Sequence, residues 1–69
     1  MTAMIKYRQV DLVLKVKGDA FDAAMVLHGL GLVVDTVLSR VGTVCGWCSH
    51  GTFGQVTAAD CVISFEVNQ

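Results

Sequence analysis

Two glycines at the end of a helix-like segment, Gly29 and Gly31, most constrain how this chain can fold. They precede the β-branched stretch "LVVDTVLSRVGTVCGWCS". Apolar residues spaced four and three apart from Ala23 to Val41 would also suit one long helix. Two glycines inside a helix cost roughly 1 kcal/mol each, and β-branched residues add to that cost. We therefore expect strands over residues 32–45, with a continued helix as the alternative.

The segment "GDAFDAAMVLHGLG" carries signals for both ends of a helix. Asp19 can cap its first turn, and Asp22 places a second negative charge near the positive end of the helix dipole. At the far end Gly29 suits the left-handed position after the last turn, and Leu30 supplies the apolar residue that follows such a cap. One stripe of this helix holds Phe21, Ala24, Met25 and His28, and it is flanked by Ala20, Ala23 and Leu27.

Residues 9–17 alternate between polar and apolar side chains, which predicts a half-buried strand. Its apolar face would hold Val10, Leu12, Leu14 and Val16. Upstream, Ile5 and Tyr7 have the opposite parity. Either the strand begins near Gln9 or a bulge near Arg8 shifts its phase.

Three more strands are expected, "LVVDTVLS", "TVCGWCS" and "CVISFEV", with one or two helical turns in "HGTFGQVTAAD" before the last. The last strand would place Cys61, Ile63, Phe65 and Val67 on one face and Val62, Ser64 and Glu66 on the other. The order is β-α-β-β-(short α)-β, which predicts an α+β, ferredoxin-like fold with an antiparallel sheet and one main helix on one face.

Composition limits the classes of function that the chain can perform. Its 69 residues make one small domain, residues 1–69, and 54% of them are apolar. This excludes disorder and suggests a partner-binding face, a homodimer or a higher homo-oligomer. The net charge is −1, and a strand would divide Lys6, Arg8, Lys15 and Lys17 between its faces, so we expect no nucleic-acid partner.

No signal-peptide core opens the sequence, and no run of about 20 apolar residues could cross a membrane. Three cysteines cannot all pair within one chain. We therefore expect reduced thiols, a cytoplasmic protein and no membrane partner.

The segments "VDLVLKVKG", "LHGLGLVVDTVLSRVGTVCGWCS" and "AADCVISFEVNQ" together resemble the propeptide-like inhibitors of subtilisin-type serine proteases. The resemblance covers about 60 residues and lies in the layout of the elements. It implies a binding module that inhibits a protease: the sheet face docks on the enzyme, and the final residues enter its cleft as an added strand. The residues implied are Glu66, Val67, Asn68 and Gln69, with Gln69 nearest the catalytic serine.

Two cysteines, Cys45 and Cys48, have the spacing of half a zinc site, which His50 and Cys61 could complete. In a strand, however, Cys45 and Cys48 point to opposite faces unless Gly46 bulges. The competing interpretation is three reduced cysteines acting as small buried hydrophobic residues, and we expect no metal and no cofactor.

A tryptophan in the middle strand, Trp47, is a second candidate contact for a protein partner, with packing on the sheet as the alternative. His28 is expected to cap the helix end, and His50 has no well-placed nucleophile. We expect no enzymatic activity. Besides a protease inhibitor, the chain could be an accessory protein that blocks another macromolecular machine, or a homo-oligomeric sheet protein.

Overall fold

A computed structural model describes residues 9–68 of the chain. In chain order the elements are β1 (Gln9–Val16), α1 (Ala20–Gly29), β2 (Val33–Leu38), β3 (Thr43–Ser49), α2 (Phe53–Thr57) and β4 (Val62–Val67). The strands form one antiparallel sheet in the order β2-β3-β1-β4, which is the ferredoxin-like arrangement. The predicted α+β fold is confirmed, and the stretch after the helix forms strands. Ile5, Tyr7 and the alternative of a bulge near Arg8 lie outside the described residues.

The central strand β1 carries the core of the molecule. It pairs with β3 on one side and with β4 on the other, so its backbone is bonded along both edges. Its even-numbered residues are all buried against the helices, as the alternation predicts: Val10, Leu12, Leu14 and Val16.

Helix α1 begins where the sequence indicates. The Asp19 carboxylate accepts hydrogen bonds from the backbone N–H groups of Phe21, at 2.8 Å, and Asp22, at 3.3 Å. These bonds satisfy two donors that the first turn would otherwise leave unpaired.

The face of α1 that packs on the sheet differs from the stripe centred on its large side chains. The buried residues are Ala20, Ala23, Ala24 and Leu27, whereas Phe21 and Met25 are 57% and 73% exposed. Small alanine side chains allow the helix backbone to lie close to the sheet. The larger apolar residues are thereby left at the surface.

The predicted left-handed position at Gly29 is wrong. Gly29 is the last residue of α1, Leu30 is the C-cap with φ −91°, and Gly31 has φ +114°. The helix continues for two residues beyond the predicted end because Gly29 tolerates helical dihedral angles as well as left-handed ones.

The helix ends in a Schellman motif around Gly31. The N–H of Gly31 donates to the carbonyl of His28, and the N–H of Leu32 donates to the carbonyl of Leu27, both at 3.0 Å. Leu27 and Leu32 are completely buried, which is the apolar contact that accompanies this motif. The motif turns the chain directly into β2.

The second helix is much shorter than the first. Helix α2 has five residues and contributes Val56 to the core. The ring of Phe53 packs edge-on against Phe65 of β4, with ring centroids 5.6 Å apart. Such a short helix leaves the helix side of β4 incompletely covered, so Phe65 is 41% exposed. Neither helix in the described part of the chain is long and apolar enough to span a bilayer.

A register shift modifies the alternation predicted for β4. Phe65 and Val67 share the helix side, and Glu66 lies on the other side, as expected. Between Lys15 and Val16 of β1 the pairing shifts, and Val62 pairs with Val16 and packs against the core. The prediction that Val62 shares a face with Glu66 is therefore wrong, because a bulge exchanges the two faces at the start of the strand.

We predict that Gly31→Ala and Gly29→Ala have opposite effects on stability. Gly31→Ala should lower the free energy of unfolding by about 1–2 kcal/mol, because a Cβ is strained at positive φ, and it would also press on the Thr52 side chain. Gly29→Ala should raise it by about 0.5–1 kcal/mol, since the site is helical and open. Urea unfolding of the two variants tests this, and equal effects would contradict the assignment of Gly31 as the left-handed residue.

Candidate partner-binding surface

The side of the sheet that carries the odd-numbered residues of β1 faces away from both helices, and we call it the open face. Residues paired across neighbouring strands project from the same side of a sheet. Trp47 pairs with Asp11 and with Val33, while Cys45 pairs with Val13. These pairs give the open face a centre of Val13, Val33, Cys45 and Trp47, in which Val33 is exposed and the other three are half-buried.

Polar and charged side chains surround this apolar centre. Asp11 and Lys15 lie on β1, and Glu66 lies beside Val13 on β4. The Gln9 side-chain amide donates to the Asp11 carboxylate at 3.3 Å. An apolar centre with a polar rim is the usual composition of a surface that binds another protein.

The structure brings Trp47 close to the last described residues. The backbone of Asp11 lies between them, because Asp11 pairs with Trp47 on one side and its carbonyl accepts a hydrogen bond from the N–H of Asn68, at 2.8 Å, on the other. Two strand spacings, roughly 10 Å, separate Trp47 from Asn68. The sequence did not show this proximity, since the two residues are far apart along the chain.

The other predicted tail residues have different positions. Glu66 pairs with Val13 and lies on the open face, whereas Val67 pairs with Leu12 and lies on the helix side. Gln69 lies outside the described residues. Three of the five predicted contact residues, Trp47, Glu66 and Asn68, therefore lie on the open face.

A glycine in β3 determines how closely β2 approaches. A Cβ on Gly46 would collide with the carbonyl oxygen of Val33. The pairing of β2 with β3 shifts between Val34 and Thr36, which leaves Asp35 without a register partner. Glycine inside a strand is a known signal of a bulge or of close backbone contact, but sequence alone does not show which neighbouring strand approaches.

The cysteines lie in separate environments. Cys45 is on the open face and Cys48 is buried on the helix side, so the strand directs the two side chains away from each other as expected. Cys61 precedes β4 and packs against the core. Within residues 9–68 no three His, Cys, Asp or Glu side chains are grouped to hold a metal ion. The arrangement fits Cys48 as a small core residue.

The polar side chains near the helices have structural partners. His28 donates through Nδ1 to the carbonyl of Leu32 at 3.2 Å, so its ring braces the segment that follows α1. The hydroxyl groups of Ser49 and Thr52 are 2.9 Å apart and share a hydrogen bond across the turn after β3. His50, the neighbour of Ser49 in sequence, is exposed.

Two grooves on the helix side were not predicted from the sequence. One of about 360 Å³ runs between α1 and β2 and is lined by Phe21, Ala24, Met25, His28 and Val34. A second, of about 260 Å³, lies near β4 and is lined by Val10, His50, Phe53 and Val67. The stripe of large residues on α1 was the only sequence signal for the first.

Comparison of the chain with protein-family models, with curated proteins and with solved structures gives no match. The resemblance to protease propeptides therefore stays a prediction, and the surface itself is the basis for a proposed function.

Burial of Cys48 predicts a pH dependence of stability. Desolvation raises the pKa of this thiol above its ordinary value of 9.0, so the folded protein holds the proton more tightly than the unfolded chain does. The contribution to stability is complete below about pH 9 and is lost as pH rises through the raised folded pKa. Cys48→Ala should remove the loss of stability at alkaline pH that this thiol causes. The substitution also removes buried atoms from the core.

Urea unfolding between neutral and alkaline pH measures this effect. Cys45→Ala is the matched control, because its thiol is half-buried on the open face, and it should retain the wild-type pH dependence. A decline of equal slope in Cys48→Ala and wild type would contradict the prediction.

Proposed function

We propose that this protein is a small protein-binding module that contacts its partner through the open face, with Trp47 as the anchor. The observation that carries the proposal is the position of Trp47. It is half-buried at the apolar centre of a sheet face that no described helix covers, and it lies in one row with Asp11 and Asn68.

The energetics of protein interfaces support Trp47 as the anchor. Tryptophan is enriched among interface residues whose loss costs 2 kcal/mol or more, and such residues lie near the centre of the contact. Trp47 is supported on both sides by paired strands, since β3 pairs with β1 and with β2. Its backbone is therefore already ordered, and a partner does not have to supply the free energy of ordering a loop.

Ser49 and His28 are engaged in structural hydrogen bonds, which supports binding over catalysis. Ser49 shares its hydroxyl hydrogen bond with Thr52, and His28 holds the carbonyl of Leu32. The open face carries apolar side chains and separated charges, whereas general acid–base catalysis needs an acid and a base close together. Recognition of a protein needs only such a surface.

The inhibitor form of the proposal assigns the partner to the subtilisin-type serine proteases. The open face would dock on the enzyme, and Glu66–Gln69 would enter the cleft as an added strand. The support for this form is that Asn68 and Trp47 flank Asp11, so one partner could contact both. The other form is an accessory protein that blocks another macromolecular machine through Trp47 alone.

We predict that Trp47→Ala weakens binding to the partner by about 30-fold, the effect of losing an interface anchor worth about 2 kcal/mol. Partners are captured on the immobilised full-length protein from a lysate, identified by mass spectrometry, and then titrated in purified form.

Met25→Ala is the matched control for this experiment. Met25 is 73% exposed on α1, on the opposite side of the molecule from Trp47. The control should bind as the wild type does. If Met25→Ala weakens binding and Trp47→Ala does not, the contact surface lies on the helix side and the proposal is wrong.

We predict that deletion of Asn68 and Gln69 abolishes inhibition of a subtilisin-type protease while the fold is retained. The physical reason is that the deletion shortens the added strand and removes Gln69, which in this form lies nearest the catalytic serine. Inhibition is measured on a panel of such proteases with micromolar protein, and circular dichroism reports the fold. A panel unaffected by the full-length protein contradicts the inhibitor form. Dependence on Trp47 with indifference to the deletion favours the accessory form.

A further inference from the structure

Strand β4 is at the edge of the sheet, and its outer backbone groups have no partner among residues 9–68. The N–H of Asn68 points towards β1, where it donates to Asp11. Backbone groups alternate in direction along an antiparallel strand. The N–H and C=O groups of Phe65 and Val67 therefore point outward, where another strand can bond to them.

We propose that a second copy of this chain pairs with β4 in antiparallel register, with Phe65 of each copy opposite Phe65 of the other. The result is a continuous eight-stranded sheet with a twofold axis between the two β4 strands. Three features favour a second copy as the partner and this register of pairing. They are the exposed apolar residues of β4, the charges on the open face, and the difference between the two edges of the sheet.

The register brings exposed apolar residues of the two copies together. Phe65 and Val67, on the helix side, are 41% and 43% exposed, and Ile63, at the bulge, is 62% exposed. With Phe65 opposite its counterpart, Val67 lies opposite Ile63 of the second copy. Because Phe53 already packs edge-on against Phe65, the pairing assembles four aromatic rings from the two copies. It also places the second copy beside Val67, which lines a groove together with Phe53.

On the open face, the same register matches opposite charges. Glu66 would lie opposite Ser64 of the second copy, and Ser64 is itself paired with Lys15. Glu66 of one copy and Lys15 of the other would then lie in one row, two strand spacings or about 10 Å apart, and both have long side chains. The twofold axis creates this complementary pair twice.

Neighbouring registers lack this complementarity. A shift that places Phe65 opposite Val67 of the second copy sets Glu66 directly opposite Glu66, and like charges in that position are destabilising. A shift in the other direction moves more of the pairing into the bulge near Ile63. The charge of Glu66 therefore favours the register with Phe65 opposite Phe65, and it disfavours the register with Glu66 opposite Glu66.

The two edges of the sheet differ in how they resist pairing. Strand β2 is interrupted in its middle by the register shift at Asp35, and bulges and charges are the usual protection of an edge strand. In β4 the bulge lies at the beginning, and the segment from Ser64 to Val67 is regular. The free edge that remains suited to pairing is β4.

The mass of the full-length protein in solution tests this inference. Sedimentation equilibrium over a range of concentrations should show a species of twice 7.4 kDa. Hydrogen exchange at the amides of Phe65 and Val67 should slow as the dimer forms, because these groups become bonded. A monomer at the highest concentrations overturns the inference, and so does a dimer in which these two amides exchange as fast as in the monomer.

Charge variants test the register. Glu66→Lys places two positive charges in each row and should weaken the dimer by about tenfold or more. The double variant Lys15→Glu, Glu66→Lys should restore wild-type association. Asp35→Lys, the same change on β2, is the matched control and should leave the dimer unaffected. Equal weakening by Asp35→Lys, or failure of the double variant to recover, overturns the register, while circular dichroism confirms that each variant is folded.

The dimer is independent of partner binding through Trp47, whereas it competes with the inhibitor form, because both use Glu66 and Val67 of β4. Pairing along β4 leaves Trp47 and the centre of the open face uncovered. A monomeric protein that still binds its partner through Trp47 would overturn only the dimer, and a dimer that binds no partner would overturn only the proposed function.

Discussion

The end of helix α1 is the constraint on which the rest of the structure depends. Gly31, at φ +114°, lets the N–H of Leu32 return to the carbonyl of Leu27, and both leucine side chains are completely buried. The turn therefore reverses the chain and adds to the core in the same step. Had the helix continued to Val41, residues 33–38 could not form β2, and β3 would lack a partner along one edge.

The unequal helices explain where the surface is apolar. Helix α1 has ten residues and packs through alanines and Leu27, whereas α2 has five and buries Val56. The short helix leaves Phe65 and Val67 of β4 partly uncovered. A chain with 54% apolar residues and this arrangement exposes apolar area on both sides of the sheet, which explains why both proposals concern binding.

The two proposed contacts use different chemistry on the same sheet. The open face presents side chains, above all Trp47, on strands whose backbone groups are already paired. Along the edge of β4, the backbone groups of Phe65 and Val67 have no partner within residues 9–68, and the neighbouring side chains match those of a second copy. Side chains on a rigid sheet favour one partner of complementary shape and charge. The backbone of an edge strand can pair with any other strand. The specificity of pairing at β4 therefore depends on the charged side chains of Lys15 and Glu66.

The sequence by itself determined the identity and order of the elements. Asp19 signals the start of α1, alternation signals β1, and the β-branched run signals β2 and β3, because each of these preferences acts between residues close along the chain. Only the tertiary structure decided which face of α1 is buried, that Gly31 and not Gly29 turns the chain, and that Val62 changes face at a bulge. The same is true of the row that contains Trp47, Asp11 and Asn68. These features depend on strand register and on packing between distant segments, and a local pattern contains no information about which segment lies opposite.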